Sequence, residues 1–242
     1  MGCYPWSDRV VPLICQRPRV VYVHVPKTGG TQTAAILRAR GAIKEGAEHG
    51  PIRVVSHDTR AASTCVATLR DPWSWYASWY EHALTLGDEG ARRLSAWGRG
   101  ATDWRSVMHG VTHPEPPPGC PRSPGVLWTQ GGDWSRVTAP HGLYTWAVEY
   151  FTQERSGAWA VDRVIDTAQL IEGWSEVLGV DVARGRANER KPDALPDRYA
   201  DAYDDEMISW VSKADKPMID LFGWEPFAPL SAPVVNIRDL HE

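Results

Sequence analysis

Pro26-Lys27-Thr28-Gly29-Gly30-Thr31 brings together a cation, two hydroxyls and a glycine pair within a short stretch. Adjacent glycines let a backbone turn sharply and present several N–H groups in one direction. Where such a turn opens a helix, those N–H groups and the positive end of the helix dipole make an anion site. Lys27 adds a mobile charge, and Thr28 and Thr31 add hydroxyl donors. A phosphate or a sulfate is the natural occupant. A tight strand–helix turn with a surface lysine is the plainer alternative, and it suits a bare glycine pair better than Lys-Thr-Gly-Gly-Thr after an apolar run. The residue order is not that of the nucleoside-triphosphatase loop, where the Lys follows the glycines and precedes a Mg-binding Ser or Thr.

A second stretch, Ala67–Tyr80, sets Arg70 at the end of an apolar run and Ser78 in the helix that follows. A guanidinium offers a planar fork of donors that matches a phosphate dianion. Asp71 and Pro72 read as a helix start, with Asp at the cap and Pro in the first turn. Taken alone, this stretch fits equally a capped helix start with its Arg paired to a carboxylate. His57 is the candidate general base, because an imidazole titrates near neutrality. A lone His is more often a capping or solvated residue. His24 alternates into the first strand and reads as packed. His109, His113 and His141 are possible substrate contacts or a rival base. Arg190 and Lys191 stand in a late loop that by itself reads as solvated.

The elements that would position these groups alternate strand, loop and helix, which predicts a doubly wound parallel sheet in one α/β domain. Arg19–Val25 reads as a strand buried on both faces. A helix follows over Thr31–Arg40. A second strand is expected over Ile52–Ser56, delivering His57 to the sheet's carboxyl edge, where ligands of open α/β sheets bind. The third strand is Thr64–Leu69. Residues 1–18 read as an irregular lead-in broken by Pro5, Pro12 and Pro18. Residues 87–142 form a weakly regular insertion, with a short helix near Asp103–His109 and a Pro-rich stretch; it is the expected acceptor-binding region. Then come a helix at Thr145–Glu154, a strand at Ala160–Ile165, a helix at Thr167–Leu178, a loop over Val180–Pro196 and a long helix at Arg198–Lys216.

A formal charge of −4, with no long basic run, argues against a nucleic-acid binder. The apolar share of 43% is that of a globular chain. Thirteen Trp stand against three Phe, which reads mainly as core packing and secondarily as lining for an acceptor pocket. The four Cys form no CxxC pair and stand apart from His at zinc spacing. The start of the chain lacks the apolar stretch of a signal peptide or membrane anchor, and Trp6 gives little support for myristoylation. A cytoplasmic chain with free thiols and no membrane partner is expected.

Two motifs in this order resemble the donor site of sulfotransferases that use 3′-phosphoadenosine-5′-phosphosulfate (PAPS). VYVHVPKTGGT is especially similar to the carbohydrate branch, which includes the heparan sulfate 2-O- and 6-O-sulfotransferases, and ATLRDPWSWYASWY is similar to the 3′-phosphate site of the family. The likeness is firm over residues 19–86, looser over 145–224 and absent for 87–142. It implies a P-loop-like α/β domain and PAPS as donor, with adenosine 3′,5′-bisphosphate as product and no required metal. With the Trp supply it points to a sugar hydroxyl as acceptor, and a small natural product is the second expectation. Lys27 would contact the bridging oxygen between phosphate and sulfate, and Thr28, Gly29, Gly30 and Thr31 would hold the 5′-phosphate. Arg70 and Ser78 would hold the 3′-phosphate, Arg190 or Lys191 in the late loop would touch it as well, and His57 would be the base. Two other readings stay open: an atypical nucleotide-dependent kinase, and a degenerate member of the fold that binds without catalysis.

Overall fold

The apolar run at Arg19–Val23 forms strand β2, and Val20 through Val23 are all buried, as expected of a strand covered on both faces. The computed structural model describes residues 10–16, 18–46, 50–113, 141–182 and 197–241. These fall into two units. One collects Ser7–Arg70, Ala147–Leu195 and Pro229–Glu242; the other collects Asp71–Trp146 and Pro196–Ala228.

The first unit holds the whole sheet. Its strands are β1 (Val10–Gln16), β2, β3 (Ile43–Gly46), β4 (Thr64–Leu69), β5 (Arg163–Asp166) and β6 (Val234–Asn236). Their order is β3-β1-β2-β4-β5-β6. Only β2, β4 and β5 run parallel to one another. β1 is antiparallel to β2 and β3, and β6 is antiparallel to β5. The expected doubly wound parallel sheet is thus present only at the centre, and the sheet as a whole is mixed. β1 ends at Gln16 and β2 begins at Arg19, which leaves no length for the crossover that a parallel pair requires. Helices α1 (Gly30–Arg38) and α7 (Leu170–Leu178) flank this sheet. Ile36, Leu37, Leu170, Trp174 and Leu178 from them share one core cluster with Leu13, Val20, Tyr22, Val66 and Ile165 from the strands.

The lead-in expected to be irregular contains β1. Pro12, read as a breaker, lies between Val10 and Leu13, where the β1–β3 register shifts. A register irregularity is one of the few places where a strand tolerates proline. The expected second strand at 52–56 is instead a 3-10 turn, Ile52–Val54. His57 then opens the short helix α2 (His57–Ala61), with Ser56 as cap. Backbone bonds Val54 N–Pro51 O and Val55 N–Ile52 O close that turn locally and take these groups out of any ladder.

The second unit is helical. Its helices are α3 (Pro72–Leu84), α4 (Asp88–Trp97), α5 (Trp104–Thr112), α8 (Asp197–Ala200), α9 (Asp205–Ala214) and α10 (Lys216–Phe222). Helix α6 (Leu143–Thr152) lies between α5 and β5 in the chain. The insertion expected at 87–142 thus opens with two regular helices, α4 and α5. Its Pro-rich part lies outside the described residues. The single helix expected over 198–216 is broken twice. Asp204 accepts the Met207 N–H at 2.8 Å and restarts the chain as α9, and Pro217 sits in the first turn of α10. Trp73, Trp75, Trp79 and Trp97 are all buried here. Trp75 stacks on Trp79 and meets Tyr144 edge-on at 5.5 Å. For these residues the Trp excess serves packing.

Asp215, fully buried between α9 and α10, accepts the Tyr76 hydroxyl at 2.8 Å and the Thr145 N–H at 2.8 Å. The Tyr144 N–H donates to the same tyrosine oxygen at 3.1 Å. A remote carboxylate and a phenol thus satisfy N–H groups in the first turn of α6 that have no acceptor within the helix. No helix among the described residues is long and apolar enough to cross a membrane.

Candidate functional site

The candidate site begins where β2 ends. Lys27 has φ 68° and Gly29 has φ 80°, so the chain turns through two left-handed residues before α1 begins. Gly29 is the cap of α1 and offers no side-chain bond. Thr33 N donates to Gly29 O at 3.0 Å, which starts the helical ladder. The N–H groups of Gly30, Thr31 and Gln32 come before that first bond and have no acceptor within the helix. They point from the positive end of the helix dipole, a suitable array for an anion.

Both glycines face close neighbours. A Cβ on Gly29 would meet Leu170 Cδ2 at 3.2 Å and Thr167 Cγ2 at 3.3 Å, besides the strain of its φ. A Cβ on Gly30 would fall 1.8 Å from His24 Nε2. His24, expected as a packed residue of the first strand, therefore lies against the loop, stacked on Tyr22 with ring centroids 6.0 Å apart. Lys27 is half-buried and Thr31 is exposed on the first turn.

Thr28 differs from the expectation. Its side chain is buried, and its hydroxyl donates to Val25 O at 2.6 Å. It also meets Thr68 Oγ1 at 2.9 Å. A hydroxyl has a single proton, so Thr28 keeps no donor for a ligand. Any contribution of Thr28 to anion binding comes from its backbone.

β2 and β4 are parallel, with Val23 opposite Ala67, and β4 and β5 are parallel, with Leu69 opposite Asp166. The PKTGGT loop, Arg70 and the Asp166–Thr167 step consequently leave the sheet at one carboxyl edge. Arg70 is 9% exposed. Nearby, Thr167 Oγ1 donates to Leu69 O at 2.6 Å. Asp166 is buried and accepts from Ala168 N at 2.9 Å and Leu230 N at 2.7 Å. Burial raises the Asp166 carboxyl above its ordinary range, while the two N–H donors and the Arg70 charge act the other way. Arg70 thus answers in part to the carboxylate suggested as the plainer reading of its motif, and it does so beside the loop's edge of the sheet. Asp166 was not singled out in the sequence.

Ser78 is half-buried on α3, in the helical unit, whereas Arg70 belongs to the sheet unit. The expected helix start is present, with Asp71 Oδ1 accepting the Ser74 N–H at 2.8 Å. Arg190 and Lys191 lie outside the described residues.

His57 is not carried to the carboxyl edge by a strand. It opens α2, which feeds the amino-terminal end of β4, and its side chain is 86% exposed. One turn later Arg60 pairs with Glu154. The Arg60 charge also acts on Cys65 at the start of β4, whose thiol burial pushes up to about 12. Cys65 and Cys15 are both buried.

His109 and His113 stack with centroids 4.3 Å apart on α5 and at its end, against Trp210 of α9. They belong to the helical unit. Arg53, Val54, Glu154, Arg155 and Ser156 line an open cavity of about 560 Å³ in the sheet unit. Arg53 there donates to Tyr150 O at 2.7 Å and lies over the Tyr150 ring.

No protein-family model, curated protein or solved structure matches this chain.

Proposed function

We propose that the chain is a sulfotransferase that moves a sulfuryl group from PAPS to a hydroxyl of a sugar or a small natural product. One observation carries this reading. The left-handed turn at Lys27–Gly29 opens α1 with N–H groups lacking an acceptor in the helix, at the same sheet edge as Arg70. That edge offers donors for two separate phosphate groups, the requirement of a nucleotide phosphorylated at both its 3′ and 5′ positions. The N–H array and Lys27 suit the 5′ end, and Arg70 suits the 3′-phosphate.

In the proposed reaction the acceptor oxygen attacks sulfur. A new S–O bond forms as the bond from sulfur to the 5′-phosphate oxygen breaks. Adenosine 3′,5′-bisphosphate leaves with that electron pair, and the acceptor's proton passes to a base. Charge grows on the sulfuryl oxygens and on the leaving oxygen. Lys27 and the α1 N–H groups are suited to stabilise it, as the donors of an oxyanion hole do. The reading requires no divalent metal, because Lys, Arg and backbone dipoles neutralise the phosphates.

The exposed position of His57 on α2 favours a second reading, in which the chain binds the nucleotide and transfers nothing. Calorimetric titration with adenosine 3′,5′-bisphosphate, without Mg and in comparison with Mg-ATP, tests the shared part of both readings. Preference for the bisphosphate supports them. Preference for Mg-ATP points to a kinase. Transfer of labelled sulfate from PAPS to a panel of sugars and phenols then separates catalysis from binding alone.

A further inference from the structure

We infer that Tyr22 and Thr68, which lie outside the PKTGGT motif, are positioning residues for the anion-binding loop, acting through a proton-ordered chain of buried hydroxyls. The inference rests on the proposed donor site and adds what holds that site in shape.

The direction of the chain follows from counting protons. Val25 O can only accept, so Thr28 Oγ1 donates to it, at 2.6 Å. Thr28 has then used its proton and accepts from Thr68 Oγ1, at 2.9 Å. Thr68 has then used its own and accepts from the Tyr22 hydroxyl, at 2.9 Å. Thr33 of α1 stands beside this chain. Thr33 Oγ1 in turn accepts the indole N–H of Trp174 at 3.1 Å. Tyr22, Thr28, Thr33, Thr68 and Trp174 are all buried. Deleting one hydroxyl therefore leaves its neighbours unpaired in the interior, out of reach of water.

The chain joins β2 and β4 to the one loop residue whose backbone lies between the two left-handed positions, Lys27 and Gly29, and the Trp174–Thr33 bond ties α7 to α1 next to it. Tyr22 also meets Trp174 edge-on at 5.7 Å and stacks on His24, the residue that excludes a side chain at position 30. Thr28 is held by its side chain from below. The loop N–H groups consequently keep one direction without any side chain taking the place of the anion. The phenol of Tyr22 stays protonated, because burial raises its pKa well above the ordinary value.

Tyr22→Phe, Thr68→Val and Thr68→Ser test the chain, with Val164→Ala as a control. Val164 is buried in β5 and bears no hydroxyl. Two quantities are read for each variant: affinity for adenosine 3′,5′-bisphosphate, and amide exchange at Gly29–Gln32 relative to the rest of the chain. Tyr22→Phe and Thr68→Val should each weaken binding about tenfold and speed exchange at the loop selectively. Thr68→Ser, which keeps the hydroxyl, should restore both to wild type. Val164→Ala should lower global stability and leave loop exchange and affinity as they were. If Tyr22→Phe and Thr68→Val bind like wild type, or lose affinity only in proportion to global stability as the control does, the inference falls. A wild-type protein that does not bind the nucleotide would overturn the functional reading instead, and selective loop exchange would then decide this inference by itself. A variant that fails to fold is replaced by Thr28→Val against Thr28→Ser, which cut and keep the same chain at its last link.

Discussion

The imidazole of His24 fills the space where a side chain on Gly30 would stand, its Nε2 only 1.8 Å from an ideal Cβ. His24 directly follows β2 and Gly30 opens α1, so this contact spans the turn between them. Gly30→Ala should push the ring or the loop aside and cost about 1–3 kcal/mol, the usual range for overpacking. Nucleotide binding should be lost with it. The double variant His24→Ala, Gly30→Ala should recover part of the stability, and urea unfolding of the four proteins of the cycle measures the coupling.

Lys27 carries a conformational burden beside its proposed chemical role. Its φ of 68° costs a non-glycine residue about 1–2 kcal/mol. Lys27→Gly relieves that strain, so its stability should stay within about 1 kcal/mol of wild type once the greater freedom of the unfolded chain is counted. Sulfate transfer should nevertheless fall about a hundredfold or more, since the cation at the leaving oxygen is gone. Single-turnover assays at saturating PAPS read this loss apart from binding. Unchanged turnover would remove Lys27 from the chemistry.

Much of this loop was legible in the sequence, because local chemistry dictates it. An apolar β-branched run, a glycine pair and an alanine-rich helix read directly as β2, turn and α1. Asp71-Pro72 likewise marked the start of α3. Non-local pairing was not legible. β1 has an apolar pattern interrupted by Pro12, and only the register shift against β3 shows how the strand accommodates it. β6 is short and gains its place from pairing with β5 and from packing Val234 into the core. The 3-10 turn at Ile52–Val54 has the composition of a strand, and its local bonds turned the His57 expectation around. Thr68 and Tyr22 were hidden for a related reason. A Thr within an apolar strand shows its β-propensity, while its hydroxyl partner depends on which strand lies beside it.

His57 provides a sharp contrast between expectation and structure. A general base contributes about a hundredfold or more to turnover. The side chain is 86% exposed, on the helix that feeds the amino end of β4. His57→Ala should therefore leave nucleotide affinity, melting temperature and sulfate transfer close to wild type. A loss of the size expected for a base, with binding intact, would restore His57 to the site.

Asp215 makes stability depend on pH. Burial raises its carboxyl from 3.8 to about 6, although the Thr145 N–H and the Tyr76 hydroxyl pull the other way. The folded state thus holds the proton more tightly than the unfolded one. Its contribution is fully present below pH 3.8, declines as pH rises towards about 6, and is gone above that. The rise from 3.8 to about 6 corresponds to a loss on the order of 3 kcal/mol across that window. Asp215→Asn should abolish this slope. The check is urea unfolding of both proteins from pH 4 to pH 7, in which the stability difference should change through the window and level off above it.

The central claim is that the turn after β2 and the guanidinium of Arg70 together hold a nucleotide phosphorylated at both ends. A crystal structure of the chain grown with adenosine 3′,5′-bisphosphate tests it most directly. The 5′-phosphate should accept from the N–H groups that open α1, and the 3′-phosphate should meet Arg70. A nucleotide bound elsewhere, or a loop left empty with Arg70 turned wholly to Asp166, would contradict the account.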